Sequence, residues 1–277
     1  MKKTLITLLA LCGAASAADK VQIDFGRYDA QTEGYYNIYI AQGYDKSEKT
    51  ANYVNGATST ITTHNLILGE QSITLTYQHT SGDGNCGGKG LMPTLLPGEE
   101  ADWKNAYSGN LPSDVLGNVS DAITTQRASD GGSHTLTFSN LAAGTYTFSA
   151  FGGFYGKDAF SAITVTLSDV LTADWSYQAC ETGTWTTNYT ITDANSVTLN
   201  SSVAGGSGAT SCNHGYYFTA EGITVEEGAS LSVTIAGAGG YARTPLNYVS
   251  LQMVPEPTTA TLSLLALAGL AARRRRR

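Results

Sequence analysis

HTLTFSNLAAGTYTFSAFGG, residues 134–153, alternates apolar and polar side chains on both sides of a short break. Leu136 and Phe138 share one side of the first half. After a turn at Ala143–Gly144, Tyr146, Phe148 and Ala150 share one side of the second. Successive side chains of an extended chain point to opposite faces, so a period of two marks a strand with one buried face. Thr and the aromatics favour that conformation, and glycine serves the turn. The stretch reads as two half-buried strands.

The same pattern runs outward in both directions. Val21, Ile23 and Phe25 form one inner row, Tyr36, Ile38 and Ile40 a second, and Ile73, Leu75 and Tyr77 a third. Ile163, Val165 and Leu167 follow, then Trp185, Tyr189 and Ile191 read as one core-packed face, then Val197 and Leu199. Ile223 and Val225 lead through a turn at Glu227–Gly228 to Leu231, Val233 and Ile235, and Val249, Leu251 and Met253 close the series. Thr, Ser and Asn face out between them. Alternation of this kind belongs to antiparallel sheets with one wet face, because parallel sheets are buried on both. About a dozen short strands separated by turn residues predict an all-β chain, an antiparallel two-sheet β-sandwich of the jelly-roll type.

The two ends have a different character. Met1, Lys2 and Lys3 precede an apolar run, and Ala15-Ser16-Ala17 has the small-residue spacing of a cleavage site, so residues 1–17 read as a secretory signal peptide. At the other end a Pro255-Glu256-Pro257 corner precedes an apolar run to Ala272 and five arginines, Arg273 to Arg277. Proline breaks regular structure there, and Leu and Ala after it favour a short anchor helix. At ~1.5 Å per residue that run is shorter than a ~30 Å hydrocarbon core, and the arginines would hold its end on the cytoplasmic side. Between the two ends, residues 18–254 carry no Pro/Ser-rich linker and read as one domain.

Charge narrows the partners. The whole chain has a formal net charge of −7, and Lys2, Lys3, Glu256 and the five terminal arginines lie outside residues 18–254. What remains is nine basic against 22 acidic residues, a net charge of −13. Such a domain repels phosphate backbones and anionic lipid, which excludes nucleic acid as a partner and suits neutral glycans or cations.

The tail, with Pro255, Glu256 and Pro257, the apolar run and the arginine cluster in that order, resembles the PEP-CTERM sorting signal of Gram-negative surface proteins. The resemblance implies processing by signal peptidase and by an exosortase-type membrane enzyme. It also implies passage through the membrane by the C-terminal helix, then a final place at the cell envelope, outer surface or extracellular matrix. It covers about the last tenth of the chain and implies an address, not an activity. IDFG near the start, the 134–153 block and EGASLSVTIAG with LNYVSLQMV at the end are similar to the galactose-binding-domain-like β-sandwich. That likeness implies the fold and, more remotely, glycan binding, since one scaffold carries many functions.

Candidate chemistry is sparse. His64, His79, His134 and His214 lack metal-ligand spacing, and no serine sits in a G-x-S-x-G elbow. The glycine-rich loop at Gly82–Gly90 fits a dinucleotide motif by letter but is followed by Pro93 and Pro97 rather than a helix. Asp83 and Asn85 in it resemble the start of a calcium loop, but Thr94 stands where a bidentate carboxylate belongs. No cofactor or metal is expected, with loose structural calcium left open. Of the cysteines beyond Cys12, Cys180 and Cys212 flank neighbouring strand patterns and are expected to form the one disulfide, leaving Cys86 over.

Aromatic residues remain. Trp103 lies among Asp102, Lys104 and Asn105 with Tyr107 close behind, a polar setting for a ring whose face can stack on a sugar. Tyr35, Asn37 and Tyr39 form an outward row opposite Tyr36, Ile38 and Ile40. Ordinary burial is the competing reading for both groups. The sequence thus predicts an exported, non-catalytic binding protein for neutral glycans. A structural matrix or adhesion protein is the alternative, and a secreted glycoside hydrolase with paired carboxylates is a third reading.

Overall fold

The alternating block at 134–153 becomes two strands, and the two lie in different sheets. With strands numbered β1–β18 in chain order, β8 (Gly132–Ser139) belongs to one seven-stranded sheet and β9 (Gly144–Gly156) to the other. The computed structural model describes residues 20–25, 33–38, 54–55, 59–81, 85–86, 111–112, 115, 123–124, 132–156, 163–168, 174–181, 184–186, 189–193, 195–199, 212–237 and 244–255. Among them the bend between β8 and β9 falls at 140–143, and Asn140 takes a left-handed φ of 62°, a conformation asparagine tolerates better than most residues.

The first sheet runs β12 (Thr184–Thr186), β11 (Asp174–Glu181), β15 (Cys212–Val225), β9, β18 (Tyr248–Val254), β1 (Lys20–Phe25) and β2 (Tyr36–Ile38). The second runs β13 (Tyr189–Asp193), β14 (Ser196–Leu199), β10 (Ile163–Ser168), β16 (Leu231–Gly237), β8, β5 (Gln71–Ser81) and β4 (Ser59–Leu68). Two short pairs complete the set: β17 (Pro245–Leu246) with β7 (Ile123–Thr124), and β3 (Val54–Asn55) with β6 (Asn85–Cys86). The expected two-sheet β-sandwich is the fold. Pairing is antiparallel except between β1 and β2, which run parallel. The chain crosses between sheets again from β15 to β16, where Gly228 has a φ of 75° that a side chain would strain.

Register explains why the sheets stick together. Leu136 and Phe138 on β8, Tyr77 and Leu75 on β5, and Val233 and Leu231 on β16 stand opposite one another and are all buried. Facing them from the first sheet are Phe148, Tyr146, Phe218, Tyr216 and Val249, also buried. Phe138 meets Phe148 edge-on at 6.2 Å between ring centroids, an arrangement that aromatic quadrupoles favour. Gly152 on β9 lies opposite Tyr216, and a Cβ there would come 2.2 Å from the Pro245 carbonyl oxygen and 2.4 Å from the Tyr216 ring. Only glycine lets those groups close.

One face read from the sequence is divided. Trp185 falls in β12 of the first sheet, whereas Tyr189 and Ile191 fall in β13 of the second. Ile191 is 52% exposed instead of core-packed; it sits on an edge strand, where the register shifts between Ile191 and Asp193. Residues 1–17, the Ile40 position and residues 256–277 lie outside the described residues. Among the described residues no helix is long and apolar enough to cross a membrane.

Candidate functional site

On the first sheet the inner rows fix the outer ones. Val21, Ile23 and Phe25 point into the core, so Gln22 and Asp24 point away from it. The same logic turns Tyr248 and Ser250 outward from β18, Phe151 and Ser149 from β9, and Tyr217 and Thr219 from β15. Register lines these up in two rows across four strands. Asp24, Tyr248, Phe151 and Tyr217 make one, and Gln22, Ser250, Ser149 and Thr219 the other.

At the β2 end of these rows a cluster forms. The Gln22 side-chain amide donates to the Tyr35 hydroxyl at 3.3 Å and to the Tyr248 hydroxyl at 3.2 Å. The two tyrosine rings meet edge-on, 6.1 Å apart. The Asn37 amide donates to the Tyr35 carbonyl at 2.9 Å and so fixes the backbone that carries the ring. Tyr35 and Asn37 are half-buried; Tyr248 is 1% exposed. Asn247 holds the cluster from behind. Its N–H donates to the Phe151 carbonyl, its carbonyl accepts from Phe25 N–H, and its Oδ1 accepts from Gly153 N–H at 2.7 Å. One buried asparagine thus ties β1, β9 and the start of β18 together, using three of its own polar groups.

The structure brings together Tyr35 and Asn37 of the expected row. Tyr39, Trp103 and Tyr107 lie outside the described residues, as do the Gly82–Gly84 and Gly87–Gly90 parts of the glycine-rich loop. Sequence reading missed Gln22, Asp24 and Tyr248. The alternation that put Val249 and Leu251 inside already turned Tyr248 outward, but its meeting with Tyr35 depends on strands from opposite ends of the chain.

Of the cluster, the Tyr35 ring and the Asn37 side chain are partly exposed, while Tyr248 is buried and the Gln22 amide is bonded to both hydroxyls. Asp24 is buried in the same row. This combination suits a neutral polyol, which stacks its C–H face on a ring and hydrogen-bonds through its hydroxyls.

Comparison with known proteins adds little. No protein-family model matches the chain, and no curated protein matches it. Among solved structures it is similar to TmCBM61 in complex with beta-1,4-galactotriose, with 12% identity over 72% of this chain and 88% of that one. The TM-score is 0.23, too low to carry an argument about this chain.

A second polar group is buried between the sheets. The Tyr77 hydroxyl donates to His134 Nδ1 at 2.8 Å, and His134 Nε2 lies 2.8 Å from the Thr244 carbonyl oxygen. A carbonyl only accepts, so Nε2 carries the proton and the ring is a fixed neutral tautomer. Burial lowers the His134 pKa to about 4, against the smaller upward pull of the Thr244 carbonyl. His79 stacks on it with centroids 5.2 Å apart. Among the described residues no group of three or more His, Cys, Asp or Glu is placed to hold a metal ion.

The cysteine pairing meets a geometric obstacle. Cys180 on β11 stands opposite Gly215 of β15, so Cys212 lies three residues further along β15. At ~3.4 Å per residue that offset is about 10 Å, beyond the ~7 Å between Cα atoms that a disulfide spans. A Cys180–Cys212 bridge therefore requires the end of β11 or the start of β15 to move.

Proposed function

We propose that the protein is an exported, non-catalytic binding protein for neutral glycans and that Tyr35 is a principal contact. The observation that carries this reading is the Tyr35–Gln22–Tyr248 cluster, in which a half-buried ring is held in place by an amide bridge and a buried neighbour. A pre-set ring loses little conformational freedom on binding. The −13 net charge of residues 18–254 disfavours sulfated or sialylated ligands. Trp103, Tyr107 and Tyr39 are proposed as further contacts, with Asn37 as a polar one.

A glycan array probed with the full chain tests the proposal. Binding to uncharged glycans is expected, falling at least tenfold in Tyr35→Ala and much less in Tyr35→Phe, which keeps the ring. Trp103→Ala is expected to weaken binding while leaving the melting temperature nearly unchanged. No retained glycan, or equal binding by Tyr35→Ala, refutes the reading. Export is proposed with it: signal peptidase cleaves after Ala17, and an exosortase-type enzyme processes the chain at Pro255–Pro257. Intact-mass analysis of envelope protein that still carries Arg273–Arg277 would exclude the second cleavage.

A further inference from the structure

β4 forms one rim of the second sheet, and on its far side it pairs with no described strand. Its sequence, STITTHNLIL, contains no Lys, Arg, Asp, Glu or Pro, and its pairing with β5 runs through ten consecutive positions without a bulge. Natural edge strands are usually blunted by a charge, a proline or a bulge, because an open row of backbone N–H and C=O groups templates another strand. β4 has none of the three. Ile61 and Ile67, 62% and 53% exposed, both stand on its outward side.

The backbone itself shows which groups face the rim. Ile67 N–H donates to the Tyr36 hydroxyl of β2, at 2.9 Å, rather than to β5. N–H and C=O groups of successive residues point to alternate sides of a strand, so Ile61, Thr63 and Asn65 present theirs to the rim as well. We infer that β4 pairs antiparallel with β4 of a second copy of this chain, about a two-fold axis at His64. In that register Ile61 faces the second copy's Ile67, and Thr63 faces the second copy's Asn65. Each exposed isoleucine then covers the other, and every residue that offers its backbone to the rim meets one that does the same. The interface is isologous, as closed dimers require.

Charge permits a second copy at this rim. A chain of net charge −7 repels its own kind over most approaches, and β4 is a ten-residue rim free of like charge. The strand is also complementary to itself, which an arbitrary partner strand would not be. About six backbone hydrogen bonds form even if Tyr36 keeps the Ile67 N–H in both copies. The inference is independent of the glycan reading, because Gln22 lies on the other sheet and the Tyr35 hydroxyl bonds Gln22 rather than β4.

Sedimentation velocity of the full chain over a range of concentrations tests it. A concentration-dependent dimer is expected. Ile61→Lys should weaken it at least tenfold while leaving the far-UV spectrum and melting temperature as they were. Tyr36→Phe should strengthen it several-fold, since it frees the Ile67 N–H. His64→Cys should give an interchain disulfide joining position 64 to position 64 in peptide maps, because Cα atoms of a non-hydrogen-bonded antiparallel pair are ~4.5 Å apart. A chain that stays monomeric at every concentration overturns the inference. So does a dimer that Ile61→Lys leaves intact, or a His64→Cys variant that never cross-links. Tyr35→Ala should leave the dimer unchanged, which separates this result from the outcome of the glycan test.

Discussion

On the outward face of the first sheet, Tyr248, Phe151, Ser149, Thr219 and Ser250 are buried; on that of the second, Thr135, Thr137, Thr164, Ser232 and Thr234 are only half-buried. Both faces follow the same alternation and carry similar hydroxyl pairs. Ser149 meets Thr219 at 3.0 Å in the first, while Thr135 meets Thr234 at 3.2 Å and Thr137 meets Ser232 at 3.1 Å in the second. Water competes for the second set and not for the first. The same bond therefore matters more where its loss would leave a buried group without a partner. The first sheet carries buried aromatic side chains on both of its faces, and the second has one wet side.

The comparison would fail most visibly at Phe151. Phe151→Ala should cost about 4 kcal/mol in chemical denaturation, the usual range for emptying a buried aromatic site, although the ring points away from the sandwich core. A cost near that of a surface threonine would mean that the burial of the first sheet's outward face is not energetic. Beneath the second sheet, His134 gives the next largest effect. Its pKa is about 4 in the folded chain and 6.5 when unfolded, so between those values the unfolded chain binds a proton that the folded one does not. Stability should accordingly fall as pH drops from 6.5 to 4, by about 3 kcal/mol in all. His134→Gln should start less stable and lose that part of the slope, measured as unfolding free energy against pH.

The two hydroxyl pairs sharpen the contrast. Ser149→Ala should cost about 1 kcal/mol, since it strands part of the Thr219 hydrogen bonding in a buried row. Thr137→Ala, on the wet face, should cost only about 0.3 kcal/mol. Urea midpoints for the two variants side by side check both values, and equal costs would erase the distinction between the faces.

Much of this architecture was legible in the residues. The inner rows at Val21–Phe25, Ile73–Tyr77, Leu136–Phe138, Tyr146–Ala150 and Leu231–Ile235 are all buried, because a period of two reports which side of a strand is apolar. It does not report which sheet the strand joins. Nothing in the Ala143–Gly144 letters says that β8 and β9 part company, and the short gap at Thr187–Asn188 hid the passage of the chain from β12 to β13. Nor does alternation say whether an outward face is covered. Tyr35 and Asn37 were visible as an outward row, but Tyr248 joins them only through a ring contact with Tyr35 and a hydrogen bond from Gln22 that spans 226 residues of sequence. Pairing at that range leaves no local trace. The cysteine pairing illustrates the same limit, since proximity in sequence said nothing of a three-residue offset in register.

The position of β18 bears on how the chain reaches this state. The strand is the last described one, yet it is not added at a rim. It lies between β9 and β1, and Val249 and Leu251 on it are fully buried. Until residues 248–254 arrive, the first sheet is split, with two strand flanks open and β1 and β2 detached from the rest. Closure over so long a loop is slow, and open flanks of this kind associate with whatever strand is near. For a chain delivered from its first residue onward, order in the sheet therefore comes at the end of delivery rather than during it. Until then, keeping those two flanks apart from other copies is a task the finished fold no longer has.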